Sequence, residues 1–260
     1  ENKDERPSVY IIVVDSAANS QSWRQLPHTV GLLEADFDAV NFRHMNKVGE
    51  NSFPNGMAVL MGKLISELDR RVFGAPSVKP DWNKTRACAT FHDDDPFIVT
   101  EFAKKGYKSA MAEDWGLGIF NWPGCSGFKK QPTRHYMRPF QNYFETNITK
   151  SRHFMGNNKC LEYHHFVLDY QQKFMEAYPN DPKVSMVWLV DLAHSFENGM
   201  FHADNDFFKF FRKNREEFDK SYVFFLGDHG IRWGSVLKTY VGKREINNPM
   251  MYISIPRLLR

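Results

Sequence analysis

"VYIIVV", residues 9–14, decides how the chain is read. Five of its six residues are β-branched and none follows a helical period, so the run is expected to be a strand buried on both faces. It runs straight into Asp15. Two later stretches repeat the pattern: "KVSMVWLVDLAH" (183–194) passes from an apolar run into Asp191 and His194, and "SYVFFLGDHG" (221–230) into Asp228 and His229. Further strands are expected at "AVNFRHM" (39–45), in "YKSAMAEDW" (107–115) and at "MMYISIP" (250–256). Between them lie helical patterns at "LPHTVGLLEADF" (26–37), with Pro27 in its first turn, and at "PNGMAVLMGKL" (54–64), weakened by Gly56. Others are "PFIVTEFAKKG" (96–106), closed by Gly106, "KCLEYHHFVLDYQQKFMEAY" (159–178) and "ADNDFFKFFRKNREEF" (203–218). Strands alternating with helices of this length predict crossover units and a mainly parallel sheet covered on both faces.

At 260 residues the chain can bury one sizeable core, and a single domain over 1–260 is the economical expectation. Its opening "ENKDERPS" reads as an exposed lead-in, compatible with a trimmed targeting segment or with excision from a longer chain. Residues 116–158, rich in Gly, Pro, Asn and aromatics, are expected to form a long loop or cap. Residues 65–95 read as surface loop, with "HDDDP" solvated rather than a calcium site. The net charge of +3 comes from 34 basic and 31 acidic residues with no basic block, which gives no electrostatic reason to propose nucleic acid or a charged membrane as partner. No apolar run is long enough to span a membrane. Cys88, Cys125 and Cys160 lack the C-x-x-C spacing of a zinc knuckle or dithiol site, and leave room for one disulfide plus a free thiol. With sequons at Asn83 and Asn147, they point to a secreted or luminal location.

An Asp after a strand is ordinarily a turn residue or helix cap. Three strand ends carrying Asp, two of them with His, are better explained by a site, because ligands of open α/β sheets bind outside the carboxyl ends of the strands. Asp and His suit zinc, manganese or similar ions. In "VGENSFPNG" (48–56) Ser52 stands at a strand-to-helix junction ahead of Pro54. It is either an N-cap or a nucleophile held where helix N–H groups favour an anion. With a cation to lower its pKa, it could attack phosphorus or sulfur and form a covalent intermediate.

"NKVGENSFPNGMAVLMGK" (46–63), "GYKSAMAEDW" (106–115), "GFKKQPTRHYMRPF" (127–140) and "GDHGIRWG" (227–234) together resemble an uncharacterised sulfatase-like family, domain of unknown function 229, within the alkaline phosphatase-like superfamily. The resemblance runs from about Val9 to Pro256. It implies a three-layer α/β/α sandwich and a metal-dependent hydrolytic site, with zinc the first choice of cation and manganese or calcium the alternatives. "SFPN" is similar to the "TFPN" of nucleotide pyrophosphatase/phosphodiesterases, which implies Ser52 as nucleophile. "DHG" implies Asp228 and His229, with Asp15, as ligands of the cation that meets Ser52. Asp191 and His194 would then hold a second cation, although they are three apart where such enzymes use four, and no His follows His229 to complete that set. Sulfatases place a lysine after this motif, and Lys243 stands in that region. They also modify a Cys or Ser within C/S-x-P-x-R, whereas position 56 is Gly. The expectation is thus a phosphoric-ester hydrolase acting on small-molecule, glycan- or lipid-linked esters. A sulfuric-ester hydrolase and a non-catalytic binding protein are the alternatives.

Other polar and aromatic residues read more plainly. His164 and His165 are adjacent on a helix, with no partner at metal-ligand spacing, and suit packing. Arg134, His135 and Arg138 suit a solvated loop better than a pocket. Glu113 and Asp114 suit site support or a helix cap. Phe207, Phe208, Phe210 and Phe211 suit packing, since no basic groove accompanies them as nucleic-acid stacking would require.

Overall fold

A computed structural model describes residues 5–147 and 161–260. Seven strands form one sheet: β1 Val9–Val14, β2 Val40–Asn41, β3 Lys108–Glu113, β4 His135–Tyr136, β5 Lys183–Leu189, β6 Tyr222–Gly227 and β7 Met251–Ser254. Their spatial order is β2-β7-β6-β1-β5-β3-β4. β1 lies at the centre, parallel to β5 on one side and β6 on the other. β3 and β4 continue the parallel set, whereas at the far edge β7 is antiparallel to β6, and β2 antiparallel to β7.

The side chains of β1 alternate between two cores, which is why the run lacks any polar position. Val9, Ile11 and Val13 pack with Phe53, Met57, Leu60 and Trp188. Tyr10, Ile12 and Val14 pack on the other face with Leu33, Val167, Phe207, Phe211 and Phe218. Helices therefore cover both faces and the architecture is a three-layer sandwich. Phe207, Phe210 and Phe211 are core residues, as expected.

Local departures have local causes. The strand expected over 39–45 is only Val40–Asn41, since β2, at the edge of the sheet, pairs briefly with β7 before Arg43 turns back on Asn41. A helix Asn19–Gln25 precedes Pro27–Asp36; its lack of an apolar period hid it. The 65–95 segment holds a helix Lys84–Ala89, tied to residue 125 by a Cys88–Cys125 disulfide. Nor is "HDDDP" simply solvated. Asp93 accepts from the amides of Lys129 and Lys130, and Asp95 binds both Arg86 and the buried His92. The 116–147 part of the expected cap carries β4 and the helix Arg138–Thr146; residues 148–158, like Cys160, lie outside the described residues. The helix expected over 159–178 is described as Tyr163–Ala177. Asn83 caps the Lys84–Ala89 helix through its side chain, and the rest of the Asn147 sequon lies outside the described residues. No helix among the described residues is long and apolar enough to cross a membrane.

Candidate active site

Asp15, Asp228 and Asp191 follow β1, β6 and β5, three adjacent parallel strands, so all three leave the sheet at its carboxyl edge. The chain after β1 turns through Ser16, a buried non-glycine residue at φ +63°. The turn is held by the Ser16 amide donating to Asp228 Oδ1 at 2.9 Å and by its hydroxyl donating to Asp15 Oδ1 at 2.8 Å. Gly227 lets this turn approach β6: a Cβ there would lie 2.2 Å from the Ala17 carbonyl oxygen.

Ser52 is the first residue of the helix Ser52–Met61, but it is not the cap. Asn51 fills that role, its side chain accepting from the Phe53 amide at 3.2 Å. Asn55 then braces the preceding loop. Its Oδ1 accepts from the amides of Val48 (2.8 Å) and Gly49 (3.1 Å), and its Nδ2 donates to the carbonyls of Gly49 and Asn51. Relieved of capping, the buried Ser52 hydroxyl donates to Asp15 Oδ2 at 2.7 Å and lies 3.4 Å from His229 Nε2.

The orientation of His229 follows from its surroundings. Its Nδ1 is 2.7 Å from the Gly230 carbonyl, which can only accept, so Nδ1 donates there and Nε2 is turned inward. Nε2 faces Asp228 Oδ2 at 3.4 Å and Asp15 Oδ1 at 3.9 Å. Asp228 Oδ2 is buried with no hydrogen-bond partner among the described residues. Burial, reinforced by the Asp15 carboxylate, pushes the Asp228 carboxyl up to about 6. The Asp15 and Asp228 carboxyl groups, the His229 Nε2 and the Ser52 hydroxyl thus face one another. Asp15, Asp228 and His229 are one of two groups among the described residues whose ligand atoms all lie within 4.8 Å of one another. Their all-oxygen-plus-one-nitrogen character fits a borderline or hard divalent cation, and the Gly230 carbonyl is the kind of partner that orients a metal-binding imidazole.

The structure does not bring the other expected site residues into that group. Asp191 is exposed and His194 half-buried in the short helix Asp191–His194, where His194 Nδ1 lies 3.3 Å from the Ser195 hydroxyl. Lys243 is exposed in the helix Tyr240–Glu245 and forms no hydrogen bond or ion pair with Asp15, Ser52, Asp228 or His229. His135 and Arg138 are structural: His135 Nε2 meets the Tyr178 hydroxyl at 2.8 Å, and Arg138 donates to the Gly116 carbonyl at 2.7 Å.

Glu113 and Asp114, at the end of β3, are support residues. Glu113 accepts from the Ile119 amide at 2.7 Å, and burial pushes its carboxyl up to about 7 against that hydrogen bond. Asp114 accepts from the amides of Val190 (2.6 Å) and Asp191 (3.1 Å), fixing the chain after β5; burial raises its carboxyl to about 8. Ser16, Asn51 and Asn55 were not singled out from the sequence. Asn51 and Asn55 carried a signal, since Asn caps helices and braces turns; Ser16 carried none beyond adjacency to Asp15.

Several solved structures share the fold. The phosphonate monoester hydrolase SpPMH of Silicibacter pomeroyi aligns with a TM-score of 0.62 at 13% identity, over 96% of this chain and 68% of that one. The lipoteichoic acid synthase LtaP of Listeria monocytogenes aligns at 0.58 and 13% identity, over 96% and 65%. A protein in the alkaline phosphatase superfamily from Vibrio parahaemolyticus aligns at 0.58 and 15% identity, over 98% and 61%. The chain thus spans about two thirds of the length of these structures. At such identity the likeness is one of fold, and that fold is alkaline phosphatase-like. No curated protein matches the sequence. The family described as "Protein of unknown function (DUF229)" matches residues 1–260. With that match over its whole length and an alkaline phosphatase-like fold beneath it, the chain belongs to the DUF229 family.

Proposed function

We propose that the protein is a divalent-cation-dependent hydrolase of phosphoric esters that uses Ser52 as its nucleophile. The supporting observation is the convergence of the Ser52 hydroxyl with Asp15, Asp228 and the Nε2 of His229, including a buried Asp228 oxygen that accepts no hydrogen bond among the described residues. In this reading Asp15, Asp228 and His229 hold a cation, zinc by preference and manganese or calcium otherwise, beside Ser52. Such an ion, when bound, supplies Lewis acidity that lowers the pKa of a neighbouring hydroxyl.

The chain's own residues carry the remaining steps. Asp15 Oδ2 takes the hydrogen bond of the Ser52 hydroxyl and so aims the oxygen lone pairs away from the β1 turn. The start of a ten-residue helix favours negative charge at Ser52. Attack forms an Oγ–P bond as the P–O bond to the leaving alcohol breaks, and the alcohol departs after taking up a proton. Water then adds to phosphorus as the P–Oγ bond breaks, which returns the serine and releases phosphate or a phosphomonoester. Asp191 and His194, in the short helix that follows β5, are assigned to a second cation or to the leaving group, and Lys243 to the anionic substrate.

Phosphorus is preferred over sulfur because of position 56. A Cβ at Gly56 would lie 2.5 Å from Ile119 Cγ1 and 3.2 Å from Trp188, so the arginine of the sulfatase modification sequence has no room there. The Cys88–Cys125 disulfide supports a secreted or luminal location. The test is turnover of chromogenic phosphate mono- and diesters by zinc- or manganese-loaded protein. Ser52→Ala is expected to abolish turnover while bound metal, measured by elemental analysis, stays nearly unchanged. A variant as active as the parent would remove Ser52 from the chemistry. An intact, metal-free and inactive parent would favour a binding protein instead.

A further inference from the structure

The second group of converging ligand atoms lies apart from Ser52 and comprises His164, His165 and Asp206. The two histidines open the helix Tyr163–Ala177, and Asp206 lies in the first turn of the helix Asp204–Lys213. Both helices pack on the sheet face opposite the Ser52 helix. One oxygen, Asp206 Oδ2, is 2.9 Å from His164 Nε2 and 3.0 Å from His165 Nε2. No spacing along the chain reveals this, because the partner is 42 positions away from His164.

His165 is satisfied as it stands. Its Nδ1 accepts from the Glu162 amide at 2.8 Å, so Nε2 carries the proton toward Asp206. His164 has no such solution. Its ring is 1% exposed, its Nδ1 has no hydrogen-bond partner, and Glu162 Oε2 stands 3.6 Å from that nitrogen. With the proton on Nε2, a bare Nδ1 lone pair is buried facing a carboxylate. With the proton on Nδ1, the Nε2 lone pair opposes Asp206 Oδ2. A cation between Nε2 and Oδ2 answers both with the ring neutral, because Nδ1–H then turns to Glu162, the arrangement in which a carboxylate orients a metal-binding imidazole.

We propose that His164, His165 and Asp206 form a separate transition-metal site of the zinc class, with Glu162 orienting His164. Two imidazole nitrogens and a carboxylate oxygen are a zinc donor set. The ring of His165, partly exposed, gives up the Glu162 amide on binding. His165 and Asp206 also line an open surface groove with Lys209, which gives the ion a path in and leaves a position for water or an anion. Occupancy would tie two helices together across the face of the sheet.

The test uses the full chain carrying Asp15→Asn and Asp228→Asn, which disable the Ser52 site, and measures zinc by equilibrium dialysis and cobalt by its visible absorption. One equivalent of zinc is expected to remain bound, with a rise in Tm. Adding Asp206→Asn should abolish that binding, and His165→Gln provides the same arm should Asp206→Asn fail to fold. Glu162→Gln should weaken zinc by about 10–100-fold. Absence of zinc from the parent of this series would overturn the proposal. So would unchanged binding in the Asp206→Asn and His165→Gln variants, or a His164 ring that titrates as an imidazolium with zinc present. The readout is metal binding, so it stands or falls independently of Ser52 chemistry.

Discussion

The Ser52 hydroxyl donates to Asp15 Oδ2 over 2.7 Å, joining residues 37 positions apart at the ends of different elements. It is free to do so because Asn51 caps the helix in its place. Cap and proposed nucleophile are therefore separable. Asn51→Ala is expected to lower stability by about 1 kcal/mol, measured by urea unfolding, with ester turnover retained. Ser52→Ala should do the reverse. If the serine variant loses the stability and keeps the turnover, the roles are exchanged.

Ser16 ties Asp15 to Asp228 from a left-handed backbone position. Ser16→Gly removes the hydroxyl but relieves roughly 1 kcal/mol of backbone strain; Ser16→Ala removes the hydroxyl and keeps the strain. If Asp15, Asp228 and His229 hold zinc as proposed, both variants should bind it about 10–100-fold more weakly. The glycine variant should be the more stable of the two in a denaturation series. Equal zinc affinity in variant and parent would show that the hydroxyl does not position the site.

Gly56 is a helical glycine, where alanine would normally help by about 1 kcal/mol. Here a methyl group would press on Ile119 and Trp188. Gly56→Ala is expected to cost about 1–3 kcal/mol net, as overpacked cores do. A stabilised variant in thermal unfolding would mean that Ile119 yields freely.

Glu113 supplies a pH dependence whose sign follows from its burial. Its carboxyl titrates near 7 in the fold, above the ordinary 4.5. Between those values the native chain holds a proton that the unfolded chain has lost, so this contribution to stability falls as pH rises from about 4.5 to about 7. Glu113→Gln keeps an acceptor for the Ile119 amide and removes the titration. The variant should gain on the parent by on the order of 2–3 kcal/mol between pH 5 and pH 8, measured by urea unfolding. A constant difference across that range would rule out the shift.

The Cys88–Cys125 bond closes a 37-residue separation over the face that carries the Ser52 helix. Replacing both cysteines with serine should cost roughly 3–4 kcal/mol through the freed unfolded chain. Thermal unfolding with and without reductant checks it: parent protein under reductant should match the variant.

How much of this was legible beforehand depends on how far each signal reaches along the chain. The buried parallel strands announced themselves because a strand covered on both faces tolerates no polar residue, and β1, β5 and β6 each ended in a visible Asp. Strand direction then put those ends at one edge, so sequence alone determined the sheet, its layers and the neighbourhood of Asp15, Ser52, Asp228 and His229. Other matters belong to the tertiary structure. That Asn51 caps and Ser52 does not, that Ser16 turns left-handed to hold two carboxylates, and that Asp206 meets His164 and His165 are all decided by packing between segments distant in sequence. So is the grouping of Asp15, Asp228 and His229 without Asp191 or His194. Periodicity reports which face of an element is buried; only the packed chain fixes which atoms come within hydrogen-bonding distance, because a few ångströms decide contact and no spacing along the sequence encodes them.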